Sequence, residues 1–332
     1  MRTYNINLLD DIEGRWLPII RKERQHIKCL VKDSAGKIVF PRQLKPLVKK
    51  LYEAIGGKFE YARDIRMLAG LLHLDKSDVI CANLEYELTT CLLKNPFACT
   101  SAAFYHSNLG MIHVRNLDWP GEYLGQYTIK VNFSSHQGEF TAVTWPGFVG
   151  IMSAVAKGRF SATINWLPWR RSALLPDWFP KPNLFGWPAS FLLRYIFEQC
   201  KTFEDALSEI KQKKVVAPVL ITLVGPKKGQ AVAIERGTNT YRIRHYREPA
   251  LVATNHYISD EKNRSKVKLR EDETDNYTYK RKFLVEEKVR QIKISRLSDA
   301  FKLLRYRPVF NECTTQSMVF SVITGKALVR TY

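Results

Sequence analysis

The sequence predicts an α+β protein in which two antiparallel sheets stack face to face between helical layers, and three observations lead there. Up to about residue 95 apolar residues recur three and four apart, the helical period. From Cys99 onward the period becomes two, with short apolar and polar alternations separated by Gly, Asn and Ser. Strands, helices, strands, helices and terminal strands then follow one another, the block order of a four-layer αββα sandwich.

The elements follow in order. PRQLKPLVKKLYEAIG and YARDIRMLAGLLHL carry the helical period and are separated by Gly56-Gly57, which makes residues 1–98 a helical pre-segment. TSAAFYH, MIHVRNL, GQYTIKVNF, EFTAVTW and GRFSATINW read as strands. The stretch from 166 to 188, WLPWRRSALLPDWFPKPNLFGWP, has neither period and is too long for a routine connection. PASFLLRYIFEQC and FEDALSEIKQK are helical, the second opening on a capping box between Thr202 and Asp205. VLITLVG, QAVAIERG, TYRIRHY and ALVATN return to strand, KRKFLVEEKVRQIK and SDAFKLLRY to helix, and TQSMVFSVI with KALVRT closes a hairpin near Thr324-Gly325.

Bulk properties narrow the function classes. With 332 residues, 45% hydrophobic and 25% charged, the chain is long enough for a sizeable core and is neither fibrous nor disordered in composition. Its longest apolar run, near Val215 to Val224, is about half of the roughly 20 residues a spanning helix needs. Asp10, Asp11 and Glu13 stand where a secretory signal needs an apolar stretch, so a cytoplasmic setting is the default expectation, with a secretory or lysosomal one the alternative if the sequence is trimmed. The net charge of +20 favours anionic partners such as phospholipid surfaces, but no zinc-finger, RNP or basic-zipper pattern accompanies it, which argues against nucleic acid. Six scattered cysteines without CxxC spacing, histidines without ligand spacing and no GxGxxG or Walker pattern predict neither metal nor cofactor.

Chemistry concentrates in ACTSAAFYHSNLGMIHVRNLDWP. Cys99 begins a strand, and after a turn at Asn108 to Gly110 the chain returns with Arg115 and Asp118, so a hairpin brings both beside the thiol. A free thiol with a pKa of about 8.5 is only a few per cent ionised at neutral pH, and a nearby guanidinium raises that fraction. If the bond after Ala98 breaks, the Cys99 α-amine, ordinarily near a pKa of about 7.7 to 8.0, can take the thiol proton and later deliver it to a leaving amine. Asp118 would orient that amine. Residues three apart on an ideal strand face opposite sides, so this arrangement calls for a bend near Asn116.

CTSAAF, GMIHVRNLDWP, TWPGFVG with GRFSATIN, ATN at 253–255 and the closing TTQSMVF, in that order, resemble the acid ceramidase and N-acylethanolamine acid amidase branch of the N-terminal nucleophile hydrolases, related to choloylglycine hydrolases and penicillin V acylases. The opening YNINLLDDIEGRW resembles that branch's pro-segment. The resemblance implies an enzyme cleaving linear amides through an acyl-cysteine thioester, activated by self-cleavage between Ala98 and Cys99, with 1–98 staying associated with the catalytic part 99–332. It implies Cys99 as nucleophile, Arg115 and Asp118 as the paired residues of the RNLD motif, and Asn255 as an oxyanion donor. A further catalytic arginine is Arg281 or, as the other candidate, Arg264; Asn165 is a possible second polar group.

Ceramides or N-acylethanolamines are the expected substrates, with bile-salt or penicillin V amides as the alternative and a lipid- or nucleic-acid-binding protein on a decayed scaffold as the non-enzyme reading. Trp166, Trp169, Trp178, Phe179, Phe185 and Trp187, with Arg170, Arg171 and Lys181 among them, have the make-up of a loop that touches anionic membranes and shapes an acyl pocket. The bland alternative is that the rings pack over the sheet.

Overall fold

The computed structural model describes residues 1–37, 46, 61–92, 98–119, 121, 124–169, 182–257 and 277–332. Its centre is two stacked sheets. The larger contains β1 (Arg2–Asn7), β4 (Ile129–Ser135), β5 (Gly138–Thr144), β6 (Ser153–Ala156), β7 (Phe160–Trp166), β8 (Val219–Val224), β9 (Ala231–Arg236) and β10 (Tyr241–His245), in that spatial order. The smaller runs β11 (Ala250–Ala253), β2 (Thr100–His106), β3 (Gly110–Asp118), β12 (Thr314–Ser321) and β13 (Lys326–Thr331). Apart from β1, which lies parallel to β4, the pairings are antiparallel.

One helical layer covers the larger sheet: α1 (Ile12–Lys37), α2 (Tyr61–Leu72), α3 (Lys76–Asn83), α4 (Glu85–Leu92), α5 (Ala189–Gln199) and α6 (Phe203–Gln212). Its apolar faces meet the sheet through contacts such as Phe160 on Phe197, ring centroids 4.8 Å apart, and Trp16 on Phe133 at 6.5 Å. The capping box expected at Thr202 is formed, with Asp205 N donating to Thr202 Oγ1 at 3.1 Å and Thr202 N to Asp205 Oδ2 at 3.0 Å. The second layer, α7 (Thr278–Gln291) and the 3₁₀ helix Leu297–Leu304, packs on the outer face of the smaller sheet around Val114, Val285, Phe301 and Leu304. The predicted αββα sandwich is the observed architecture.

Several boundaries differ from the sequence reading. The amino-terminal segment is not purely helical, since β1 adds an edge strand through alternating inward Tyr4 and Ile6. SDAFKLLRY forms a 3₁₀ rather than an α-helix, and β6, four residues buried on both faces, gives no alternation to read. Apart from residue 46, the helix expected over 41–56 lies outside the described residues.

Residues 1–98 are stitched into the rest by buried polar contacts. Asp64 accepts from Arg15 Nη2 at 2.7 Å, Trp16 Nε1 at 2.9 Å and, across to α5, Arg194 Nη1 at 2.8 Å. Burial alone would push the Asp64 carboxyl up, yet Arg194 and Arg15 hold it below its usual value. Tyr86 donates its hydroxyl proton to Pro218 O at 2.9 Å, and Ala189 N donates to Glu87 Oε1 at 2.6 Å.

Candidate active site

Cys99 precedes β2, buried to 2% exposure where the two sheets meet. Strand alternation continues back from Ala103 and Ser101, which face the larger sheet, and the thiol lies on the same side. Gly110 makes the hairpin to β3 possible: its φ is +71°, and a Cβ there would stand 2.2 Å from Ile323 Cδ1. The resulting register sets Ser101 opposite Arg115 and Thr100 opposite Asn116.

Arg115 is fully buried and points between the sheets. Its Nη2 reaches Cys99 Sγ at 3.7 Å and also donates to Ile164 O, while Nη1 donates to Met152 O at 2.6 Å and to Ser153 Oγ. Fixed by three oxygen acceptors, the guanidinium offers its charge to the sulfur from one direction. Burial pulls the Arg115 guanidinium below its usual value, and Cys99 and Asp118 act against that. The thiol itself reaches Asp118 O at 3.8 Å.

Asp118 faces the other side of the same strand, so alternation holds and β3 itself needs no bend near Asn116. Asn116 points outward to Leu304 O and Val309 O, both at 2.9 Å, and the irregularity sits instead in β12 between Thr314 and Gln316. That bulge brings Thr314 Oγ1 to Asp118 Oδ1 at 2.8 Å, and Asn311 Nδ2 donates to Oδ2 at 2.7 Å. Burial pushes the Asp118 carboxyl up to about 6, against the pull of Arg281 and of these two hydrogen bonds. Cys99 has Arg115 on one face of the small sheet and Asp118 on the other because it stands at the strand's end.

Arg281 enters from α7 on the outer face and is fully buried, not a surface helix residue. Its Nη1 donates to the carbonyl oxygens of Ala98 and Cys99, each at 2.6 Å, and to Thr100 Oγ1 at 2.9 Å; Nη2 donates to Asn255 Oδ1 at 2.8 Å. Asn255 is thereby oriented with its amide NH₂ toward Trp166 O at 2.9 Å, and its backbone N–H donates to Thr278 Oγ1 at 2.9 Å. The side-chain donor on the Ala98 carbonyl is therefore Arg281. Asn165 lies close by, its Nδ2 donating to Ala253 O at 3.0 Å and Thr254 O at 3.2 Å, with Cys99 O at 3.5 Å.

A groove with a cavity volume of about 60 Å³ lies between the amino-terminal helices and the sheet. Leu30, Val31, Ala82, Leu124, Trp145 and Phe148 give it an apolar wall, and Trp119, next in chain to Asp118, also lines it.

Residues 180–327 match the family described as acyl-coenzyme A:6-aminopenicillanic acid acyl-transferase. An N-acylethanolamine-hydrolyzing acid amidase of Caenorhabditis elegans is 26% identical over 246 residues, which cover 71% of this chain and 67% of that protein. The mouse protein of the same name is 27% identical over 241 residues, 70% of this chain and 64% of its own. An acid ceramidase of Heterocephalus glaber is 24% identical over 260 residues, 70% and 62%. Over about 70% of its length the chain is thus similar to the acid amidase and acid ceramidase branch of the N-terminal nucleophile hydrolases. It matches about two thirds, or slightly less, of the length of these relatives. Among solved structures, the C. elegans N-acylethanolamine-hydrolyzing acid amidase ortholog superposes with a TM-score of 0.53 at 23% identity, over 68% of this chain and 93% of that one. A mutant conjugated bile acid hydrolase from Clostridium perfringens gives 0.50 at 12% identity, over 70% and 89%. Both likenesses are of fold.

The structure brings together Cys99, Arg115, Asp118, Asn165, Asn255 and Arg281, while Arg264 lies outside the described residues. Trp166 and Trp187 are not an exposed aromatic surface. Trp166 ends β7 at 4% exposure, and Trp187 packs against Tyr195 just before α5, the rings 4.9 Å apart and tilted by 55°. Trp169 Nε1 donates to Thr90 O at 2.9 Å. Trp178 and Phe179 lie outside the described residues, and among the described residues of the stretch Phe185 is an exposed ring, at 78%. Sequence reasoning missed Asn311, Thr314 and Thr278, which orient Asp118 and Asn255; NECTTQ carries no spacing that would single them out. No group of three or more metal-ligating side chains occurs among the described residues.

Proposed function

We propose that this chain is a thiol amidase that cuts itself after Ala98 and then hydrolyses long-chain N-acyl amines through an acyl-Cys99 thioester. The observation that carries the reading is the Arg281 guanidinium, which bonds the Ala98 carbonyl oxygen at 2.6 Å while Arg115 faces the Cys99 sulfur. A donor on the carbonyl and a cation at the thiol are what an N-to-S acyl shift requires.

In the precursor, Cys99 Sγ attacks the Ala98 carbonyl carbon. The oxygen's developing charge falls on Arg281, the C–N bond breaks, and the thiol proton passes to the departing nitrogen. Water then hydrolyses the Ala98 thioester, leaving the Ala98 carboxylate, a free thiol and the Cys99 α-amine. In turnover that amine takes the thiol proton, the thiolate attacks the substrate carbonyl, and the proton is handed to the leaving amine. Water resolves the second thioester. Arg281 and Asn255 hold the oxyanion side and Arg115 the sulfur side.

The relatives' names supply the substrate class: N-acylethanolamines or ceramide-like amides. Residues 1–98 stay bound after cleavage, held by β1 and the Asp64 cluster, since helices α1, α3 and α4 form one wall of the groove. Contact with an anionic lipid surface accompanies this, with Phe185 as the exposed ring of the 182–188 segment. Among the described residues no helix is long and apolar enough to cross a membrane.

Intact mass spectrometry of the wild type beside Cys99→Ala, with fatty-acid release from a long-chain N-acylethanolamine, tests the reading. The wild type should separate into residues 1–98 and 99–332 and release acid, and the variant should do neither. A variant that cleaves after Ala98, or a processed wild type that releases no acid from any long-chain N-acyl amine offered, would overturn it.

A further inference from the structure

Between the two sheets lies a run of polar side chains that the reaction itself does not use. On β7, Ser161, Thr163 and Asn165 face the smaller sheet and meet Ser101 of β2 and His113 of β3; all five are fully buried. Asn165 Oδ1 accepts from Ser101 Oγ at 2.8 Å, Ser101 Oγ lies 3.0 Å from Thr163 Oγ1, Thr163 Oγ1 lies 3.2 Å from His113 Nε2, and His113 Nδ1 lies 2.9 Å from Ser161 Oγ.

Counting protons fixes the direction of every link. The Asn165 NH₂ faces three carbonyl oxygens, so its Oδ1 faces Ser101 and only accepts. Ser101 has one proton and gives it there, so Thr163 must donate to Ser101. Thr163 has then spent its proton, so His113 must donate from Nε2. Its Nδ1 is left bare and accepts from Ser161. Burial, and then Arg115, push the imidazole down to about 3, so the ring stays neutral and one tautomer satisfies both neighbours.

We propose that His113 is a positioning residue for the Cys99 reaction, acting through this one-way chain of hydrogen bonds that ends on Asn165. Asn165 binds the carbonyls on either side of the site: that of Cys99, and those of Ala253 and Thr254 immediately before Asn255. Holding the Asn165 amide in one orientation fixes the nucleophile's backbone relative to the oxyanion asparagine. Misplacement by a fraction of an ångström at such a site slows chemistry without weakening substrate binding. The proposal rests on Cys99 being the nucleophile.

The test uses the full chain. Nitrogen NMR of histidine-labelled wild type should show His113 protonated on Nε2 and bare on Nδ1, a result independent of any activity. His113→Gln keeps a donor and an acceptor, whereas His113→Leu and Thr163→Val break the chain with little change in volume. Turnover of a long-chain N-acylethanolamine should show kcat lowered roughly tenfold or more in both apolar variants, with KM nearly unchanged and most of the loss restored in the Gln variant. Thr163→Val serves if the Leu variant does not fold. An Nδ1–H tautomer, wild-type kcat in a folded apolar variant, or a kcat loss that Gln does not restore would each overturn the proposal. An inactive wild type would instead count against the amidase reading and leave the NMR result to decide this one.

Discussion

Glu87→Gln should remove a pH dependence from this protein's stability. Glu87 sits on α4, buried at the amino-terminal end of α5, where Oε1 accepts from Ala189 N at 2.6 Å and Oε2 has no hydrogen-bond partner. The helix terminus favours the anion, but burial outweighs it and pushes the carboxyl from 4.5 to about 7. A carboxyl whose folded pKa lies above its unfolded value binds more protons in the native state between the two. Its contribution is therefore full below pH 4.5 and is lost as pH rises to about 7. At 1.36 kcal/mol per unit, that loss is about 3 kcal/mol. Gln resembles the protonated acid and keeps the bond from Ala189, so the two proteins should agree near pH 4.5 and diverge above it. Asp118 titrates with the same sign between 3.8 and about 6, but it is common to both proteins and cancels in their difference. Asp64, held below its usual value, acts at lower pH with the opposite sign. Urea melts in half-unit pH steps from 4.5 to about 7 measure the difference directly. A difference that stays flat across this window would refute the argument, because it would mean the carboxyl is as well solvated folded as unfolded.

Two further outcomes follow from the site and from the segment that covers it. Arg281→Lys keeps a charge but loses the fork that spans Ala98 O, Cys99 O, Thr100 Oγ1 and Asn255 Oδ1, so self-cleavage followed by mass spectrometry should slow by about 100-fold or more. Asp64→Ala leaves Arg15 and Arg194 buried without their shared carboxylate and should cost about 3 to 5 kcal/mol of folding stability in denaturant melts; after cleavage it should also let residues 1–98 separate from 99–332 on gel filtration.

How much of this was legible depends on what each pattern reports. The hairpin from Cys99 to Asp118 was readable because alternation and a turn at Asn108 to Gly110 are local signals. The family motifs likewise singled out Asn255, which the structure places on Arg281 beside Cys99. The apparent conflict between Arg115 and Asp118 came from assuming that both must approach the thiol from one side. A residue at a strand's end is reached from both faces, and no periodicity states that. GRFSATINW shows the opposite failure. Phe160, Ala162 and Ile164 alternate with Ser161, Thr163 and Asn165, a pattern that ordinarily means one wet face. Here the apolar set meets the helices and the polar set meets the second sheet, so both faces are buried. Only partners distant in sequence, Ser101 and His113, satisfy those groups, and one sequence does not reveal them.

The buried polar face also explains why the site can be held so closely. Apolar inter-sheet packing is non-directional and tolerates small sliding of one sheet on the other. Replacing part of it with hydroxyl, amide, imidazole and guanidinium groups makes the inter-sheet position directional, since each displaced donor would be left unpaired in a medium that cannot solvate it. Arg115 ties β3 to β6 and β7 through Met152 O, Ser153 Oγ and Ile164 O, and Asn165 ties β7 to the end of β11. On the proposed mechanism these ties matter most after cleavage. Once Ala98 no longer tethers Cys99, its carbonyl contacts with Arg281 and Asn165, and the pairing of β2 that follows, are what keep a new chain terminus from fraying. The guanidinium of Arg281 retains Cys99 O and Asn255 Oδ1 and gives up only the bond to Ala98 O. Nη1 then has Cys99 O and Thr100 Oγ1 for its two N–H groups, and a substrate oxygen arriving where Ala98 O lay shares them as Ala98 O does, so on this mechanism the self-cleaved bond and the substrate amide meet the same donor in the same place.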